Sequence, residues 1–276
     1  MARLDLVRRR VALSDAELET LRLADNGETV DPAARQALVD AGALDAEGRL
    51  APLVVDLVRT VTAPMILATV ETGGPQGPAF AQVAVHEERV WYTDPWPQDD
   101  PAGTVVYHQD ELPQLLWTLA RLVGLRRREV PQAAREFTVP LRAIDAVVQT
   151  MALSEDAWEP IRVVATAGLE RFFGEVDEQA RLMVMATLTH LESTARVTLT
   201  WGPDAGTDAR GVALWDCGSG GYWVRTSPAE PLRAEDVTPD TLATFRPVSG
   251  ADVWAALAAL LPSGAELRET VARVQA

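Results

Sequence analysis

The sequence predicts an α+β fold in which one unit, helices followed by four strands and a closing helix, occurs twice. Three observations carry the prediction. The hydrophobic period passes from helical spacing to strand alternation and back, in the same order, in each half of the 276 residues. The halves also correspond in their residues: "AFAQVAVHEERVWYTDP" lies opposite "GVALWDCGSGGYWVRTSP", and "DELPQLLWTLARLVG" opposite "SGADVWAALAALLP", with "RVALSDAELETL" a looser partner of "FTVPLRAIDAVV". The gaps between successive strands are of turn length, which favours antiparallel pairing. Residues 1–276 are read as a single α+β domain, with a first pseudo-repeat at 11–125 and a second at 136–262. The polar stretch 126–136, with Pro131, joins them, and the two units either share a continuous sheet or pack face to face.

Ser14-Asp15-Ala16-Glu17 is a capping box that opens a short helix over Leu18, Leu21 and Leu23. Residues 33–39 and 52–61 are the next two helices. The latter lines up Leu50, Leu53, Val54, Leu57 and Val61, and Pro64 stops it. Strands follow at 65–70, 80–85, 90–92 and 103–107, with turns at 73–78 and 86–89. Asp110 is read as the cap of a helix carrying Leu112, Leu115, Leu116, Leu119, Leu122 and Val123.

In the second half, helices are expected at 141–151, at 158–172 after Ser154, and at 177–191. The last of these is amphipathic through Ala180, Leu182, Met183, Met185, Ala186 and Leu188. Strands return at 195–201, 211–215, 222–225 and 242–245. Ser249 caps a core helix with Val253, Trp254, Leu257, Leu260 and Leu261, and Ser263 with Glu266 forms another capping box for a short C-terminal helix.

Composition narrows the function. Net charge is −15, so nucleic acid and anionic membrane surfaces are poor partners, because both must be approached with excess Lys and Arg. The runs Arg8-Arg9-Arg10 and Arg126-Arg127-Arg128 are too brief to reverse that sign and are read as solvating element ends. A single cysteine leaves no internal disulfide and suits a cytoplasmic location. No signal-like or membrane-spanning run is found.

No catalytic set emerges. His86, His108 and His190 have no partner at a recognised metal-ligand spacing. Cys217-Gly218-Ser219-Gly220-Gly221 is one residue away from a nucleophile elbow, but its context is strand, turn, strand rather than strand, turn, helix. The same context argues against a phosphate-binding loop. No catalytic residue, cofactor or metal is therefore expected. The acidic, proline-rich loop 94–101 is read as a stiff connection.

The aromatics point elsewhere. Of the 8 tryptophans, most are expected in the core. Trp96 in its loop, and Trp215, Trp223 and Arg225 around the glycine turn, are the candidate protein-contact residues, since Trp and Arg commonly anchor interfaces.

"LSDAELETLRLA", "GALDAEGRLAPLVVDLVRTVTAP" leading into "MILATVET", "AQVAVHEERVWYT" and "DELPQLLWTLARLVG" together resemble the EspG family of actinobacterial type VII (ESX) secretion chaperones. "RVTLTWG", "GVALWDCGSGGYWV" and "FRPVSGADVWAALAALLP" match more loosely. The resemblance implies a quasi-two-fold protein, a central antiparallel sheet with two flanking helical groups. It also implies a non-enzymatic cytoplasmic chaperone that binds a PE–PPE-like heterodimer and keeps its apolar tip soluble, using the sheet and a loop region. Two departures stand out: the chain lacks the longer N-terminal strand region of typical members, and its first strand-to-strand loop is short. The rival readings are an enzyme with an unrecognised carboxylate-based site, and a regulatory or structural module, including a homodimer formed through a sheet edge.

Overall fold

The computed structural model describes residues 2–95, 103–142, 144, 178–202, 208–238 and 240–274. Its strands are β1 (Arg3–Asp5), β2 (Arg10–Ser14), β3 (Ile66–Gly74), β4 (Gly77–His86), β5 (Arg89–Thr93), β6 (Thr104–Glu111), β7 (Phe137–Pro140), β8 (Ser193–Trp201), β9 (Asp208–Asp216), β10 (Tyr222–Ser227) and β11 (Leu242–Val248). Its helices are α1 (Asp15–Asp25), α2 (Pro32–Asp40), α3 (Pro52–Thr62), α4 (Leu115–Leu122), α5 (Glu178–His190), α6 (Gly250–Leu260) and α7 (Gly264–Val274). The expected helix 158–172 and most of the expected helix 141–151, residues 143 and 145–151, lie outside the described residues.

The strands form one sheet in the order β1-β2-β6-β5-β4-β3-β8-β9-β10-β11-β7. Every pair in it is antiparallel. The two halves of the chain thus share a continuous sheet. They meet at β3 and β8, where Ile66 faces Trp201 and Gly73 faces Thr194. Outward from this seam the order is β3-β4-β5-β6-β2 in one direction and β8-β9-β10-β11-β7 in the other.

Strand alternation assigns the two faces. On one face Ala68, Val70, Val83, Val197, Leu199 and Leu214 pack under α4 and α6, through Leu119, Val253 and Leu257. Trp117 of α4 meets Trp254 of α6 edge to face there, with ring centroids 4.5 Å apart. The opposite face carries two separate helical groups. Helices α1, α2 and α3 close over Val11, Leu13, Trp91 and Tyr107. Helix α5 closes over Phe137, Trp215, Trp223 and Phe245, joined by Leu141 and Ile144.

Local chemistry explains the helix starts. The Ser14 Oγ accepts from the Glu17 N–H at 3.3 Å while Glu17 accepts from the Ser14 N–H at 2.9 Å. Ser249 and Asp252 repeat the device at α6, and Ser263 with Glu266 at α7. Each box satisfies two backbone donors that a helix start leaves open. Pro32 and Pro52 sit in the first turns of α2 and α3, where a missing N–H costs nothing.

Four expectations are corrected. Asp110 does not cap a helix: it lies in β6, and Pro113 falls in a single 3₁₀ turn, Leu112–Gln114. α4 begins only at Leu115, without a side-chain cap, and the Asp110 carboxylate accepts from Thr118 Oγ1 at 2.7 Å instead. The buried side of α5 is Ala180, Val184, Thr187 and Leu188, while Leu182 is exposed. Much of that helix is apolar, so packing rather than periodicity selects its face. Third, β2 and β7 were absent from the expected strands, yet they pair with β6 and β11 and extend each half. Fourth, the 73–78 turn shrinks to Pro75-Gln76, because Gly74 still pairs with Gly77.

Candidate functional site

Between the two helical groups runs a strip of sheet. Register aligns Phe80, Glu71, Arg196 and Ala213 across β4, β3, β8 and β9, and one row further on Gln82, Thr69, Thr198 and Gly211. Phe80, Gln82, Glu71 and Arg196 are exposed, and the two threonines half-buried. Phe80 is 52% exposed, the most open apolar side chain within a central strand.

One edge of the strip is closed by a loop after β10. Glu230 reaches back so that its Oε1 meets Arg225 and lies 3.2 Å from Arg196 Nε, while Oε2 accepts from the Leu232 N–H at 2.7 Å. Arg196 also lies 3.5 Å from Glu71. Glu71, Arg196, Glu230 and Arg225 thus alternate in charge. Glycine at 211 makes room: a Cβ there would sit 2.7 Å from that of Glu230.

This arrangement fixes the fate of the candidate contact residues. Arg225 is held by Glu230 and is only 7% exposed. Trp215 and Trp223 are cross-strand partners on the face that α5 covers, so both are buried. Trp215 packs at 4.3 Å from Phe245 and Trp223 at 5.1 Å from Phe137, between ring centroids. The Trp223 Nε1–H donates to the Gly220 carbonyl at 3.1 Å. These three candidate contact residues are interior residues. Trp96 lies outside the described residues.

The glycine turn between β9 and β10 is a structural joint. Cys217 is fully buried, and burial pushes its thiol pKa far up, with the Asp216 and Glu192 carboxylates adding to the shift. A neutral, enclosed thiol is a poor nucleophile. Ser219 is exposed in the 3₁₀ turn Gly218–Gly220. Of the glycines, 218 and 221 take positive φ and 220 does not. Gly221 matters twice, because a Cβ would also lie 2.9 Å from the Glu129 carbonyl and from Pro131.

The segment joining the halves runs against this turn. Arg128 pairs with Asp216 through contacts of 3.1 and 3.2 Å and with Glu192 at 2.6 Å. The Arg126 N–H donates to the Tyr222 hydroxyl at 2.8 Å, and the Gly250 N–H to the Arg128 carbonyl at 2.9 Å. The arginine run does more than solvate an element end.

The histidines stand apart from one another. His86 Nδ1 lies 2.8 Å from the Ala63 carbonyl, and His190 ends α5. His108 lies within β6 rather than after a strand, stacked on Tyr92 with ring centroids 5.1 Å apart. Among the described residues, no group of three or more His, Cys, Asp or Glu could hold a metal ion. No described helix is long and apolar enough to cross a membrane.

No family model matches the chain, and no curated protein does. Solved structures do. The Mycobacterium tuberculosis type VII secretion system chaperone EspG5, in complex with a PE25–PPE41 dimer, matches over 92% of this chain and 98% of its own, at a TM-score of 0.54 and 11% sequence identity. At that identity the likeness speaks of fold. The chain has the α+β fold of an EspG chaperone, as the resemblance in its residues implied.

Proposed function

We propose that this protein is a non-enzymatic cytoplasmic chaperone or adaptor, which binds a PE–PPE-like client and keeps it soluble before export. The observation that carries the reading is the match to EspG5 over nearly the whole of both chains, in a structure that holds EspG5 together with a PE–PPE dimer. Binding of this kind needs a surface rather than a reactive centre. The strip around Phe80 supplies an exposed apolar group on a rigid sheet, flanked by charge. Masking an apolar tip suppresses aggregation without turnover.

We assign the client contact to that strip and to Trp96. The two halves are further read as a duplication, with pseudo-repeats at 11–125 and 136–262. The matching strand order outward from the seam supports this.

The test is co-purification of the tagged protein from its own host. Recovery of a PE–PPE-like pair, reduced by Phe80→Asp or Trp96→Ala, is the expected result. Purification only as a self-complex would overturn the reading.

A further inference from the structure

The hairpin formed by β1 and β2 ends in a tip that the chaperone reading does not use. Leu6, Val7, Arg8 and Arg9 form its turn, between the paired residues Asp5 and Arg10. Leu6 is 67% exposed and Val7 95% exposed, the two most open large hydrophobic residues among those described. They stand beside the Arg8-Arg9-Arg10 run in a chain whose net charge is −15.

The tip is shaped in advance. The Asp5 carboxylate accepts from the Arg8 N–H at 3.0 Å, which fixes the turn, and Arg9 takes a positive φ of 51°. β2 pairs along its length with β6, so the tip stands on the main sheet. A preformed tip loses little freedom on binding. The arginine partners within the chain are weak: Arg8 lies 3.6 Å from Asp5 and Arg9 3.4 Å from Glu111, with all four side chains substantially exposed. Exposed pairs of this sort contribute little, and a partner's carboxylates can replace them.

We propose that the β1–β2 tip is a docking finger for an acidic protein surface. Leu6 and Val7 enter an apolar socket, and Arg8 and Arg9 pair with carboxylates on its rim. Arginine is enriched at protein interfaces, and Leu6 and Val7 add exposed apolar area that a socket would bury. A lipid surface fits less well, because two apolar side chains are a small insertion and the short arginine run falls below the basic clusters that hold anionic headgroups. The assignment is independent of the client reading, since the tip belongs to the β1–β2 hairpin and not to the strip around Phe80.

The test places a photo-crosslinking benzophenone amino acid at position 7 in the full chain, in its host, with Val237 as the control position. The expected result is a crosslink to a protein segment carrying carboxylates beside apolar residues. That partner, once purified, binds wild-type protein and weakens with added salt. It loses at least tenfold in affinity with Val7→Ser, and again with Arg8→Glu/Arg9→Glu. Both variants keep the wild-type urea midpoint, because the tip is exposed. Absence of a protein crosslink above the control overturns the proposal, as does a partner whose affinity neither variant changes. Binding to vesicles of one part phosphatidylglycerol to three parts phosphatidylcholine, with no protein crosslink, overturns it in favour of lipid.

Discussion

Arg128 and Asp216 face each other through two nitrogen–oxygen contacts, of 3.1 and 3.2 Å, and so tie the segment between the halves to the end of β9. The Asp216 side chain is 6% exposed and also accepts from the Gly218 N–H at 2.9 Å. Arg128→Ala leaves that carboxylate buried beside Glu192 with two fewer donors. A loss of about 1.5–3 kcal/mol in urea unfolding is expected, the range for hydrogen bonds to charged groups. An unchanged midpoint would show that the contact is not formed in solution.

Glu230 and Arg225 form a more deeply enclosed pair, their side chains 2% and 4% exposed. Removing one partner of a buried pair costs about 3–5 kcal/mol, because the other charge is stranded. Glu230→Ala should approach that loss. Changing Arg225 to Met in addition should restore part of it. A double-mutant cycle by denaturant unfolding reads the coupling, and additive losses would contradict it.

His108 gives the stability a pH dependence. Burial holds its pKa below the ordinary 6.5, Arg10 and Arg121 act in the same direction, and Asp94 opposes them. A lowered pKa means that the folded state resists protonation. The full stability is present above about pH 6.5, falls as pH drops from there to the folded pKa, and is level below it. The urea midpoint should therefore be lower at acidic pH than at pH 7.5, and His108→Gln should flatten this slope. An equal slope in the variant would assign the effect to other groups.

Cys217 should be inert in the native protein. Its raised pKa and complete burial leave almost no accessible thiolate. A thiol reagent should label it only as fast as the protein opens, and at once in denaturant. Rapid labelling under native conditions would mean that the β9–β10 turn is open in solution.

What was legible in the sequence follows from how local each determinant is. The boxes Ser14–Glu17 and Ser263–Glu266 act over three residues and form as read, and Ser249 caps α6 as read, with Asp252 completing a box there. The hairpin around 86–89 is equally local, and β4 and β5 flank it. β2 and β7 escaped notice because "RVALS" and "FTVP" are short and run directly into helical segments; their pairing with β6 and β11 identifies them as strands. Asp110 misled because Asp-Glu-Leu-Pro imitates a helix start, while the strand register carries β6 past it to Glu111.

The candidate surface was less legible than the fold. Trp215 and Trp223 flank a glycine turn where the sequence allows either a core place or a contact surface, and the placement of α5 buries them. Glu230 gave no signal at all, since its partners Arg196 and Arg225 are joined to it by sheet order rather than sequence distance. Phe80 was read as an ordinary strand residue, and the gap between two helical groups leaves it open.

The seam between β3 and β8 also governs how the chain is made. Val70 of β3 pairs with Val197, which is synthesised long after it. At about 5–20 residues per second, the interval on the ribosome is on the order of 10 s. Throughout it β3 is an unpaired edge, the kind of edge that invites pairing with another chain. A protein proposed to keep others soluble therefore passes through its own exposed interval, which ends only when the second half arrives to close the sheet.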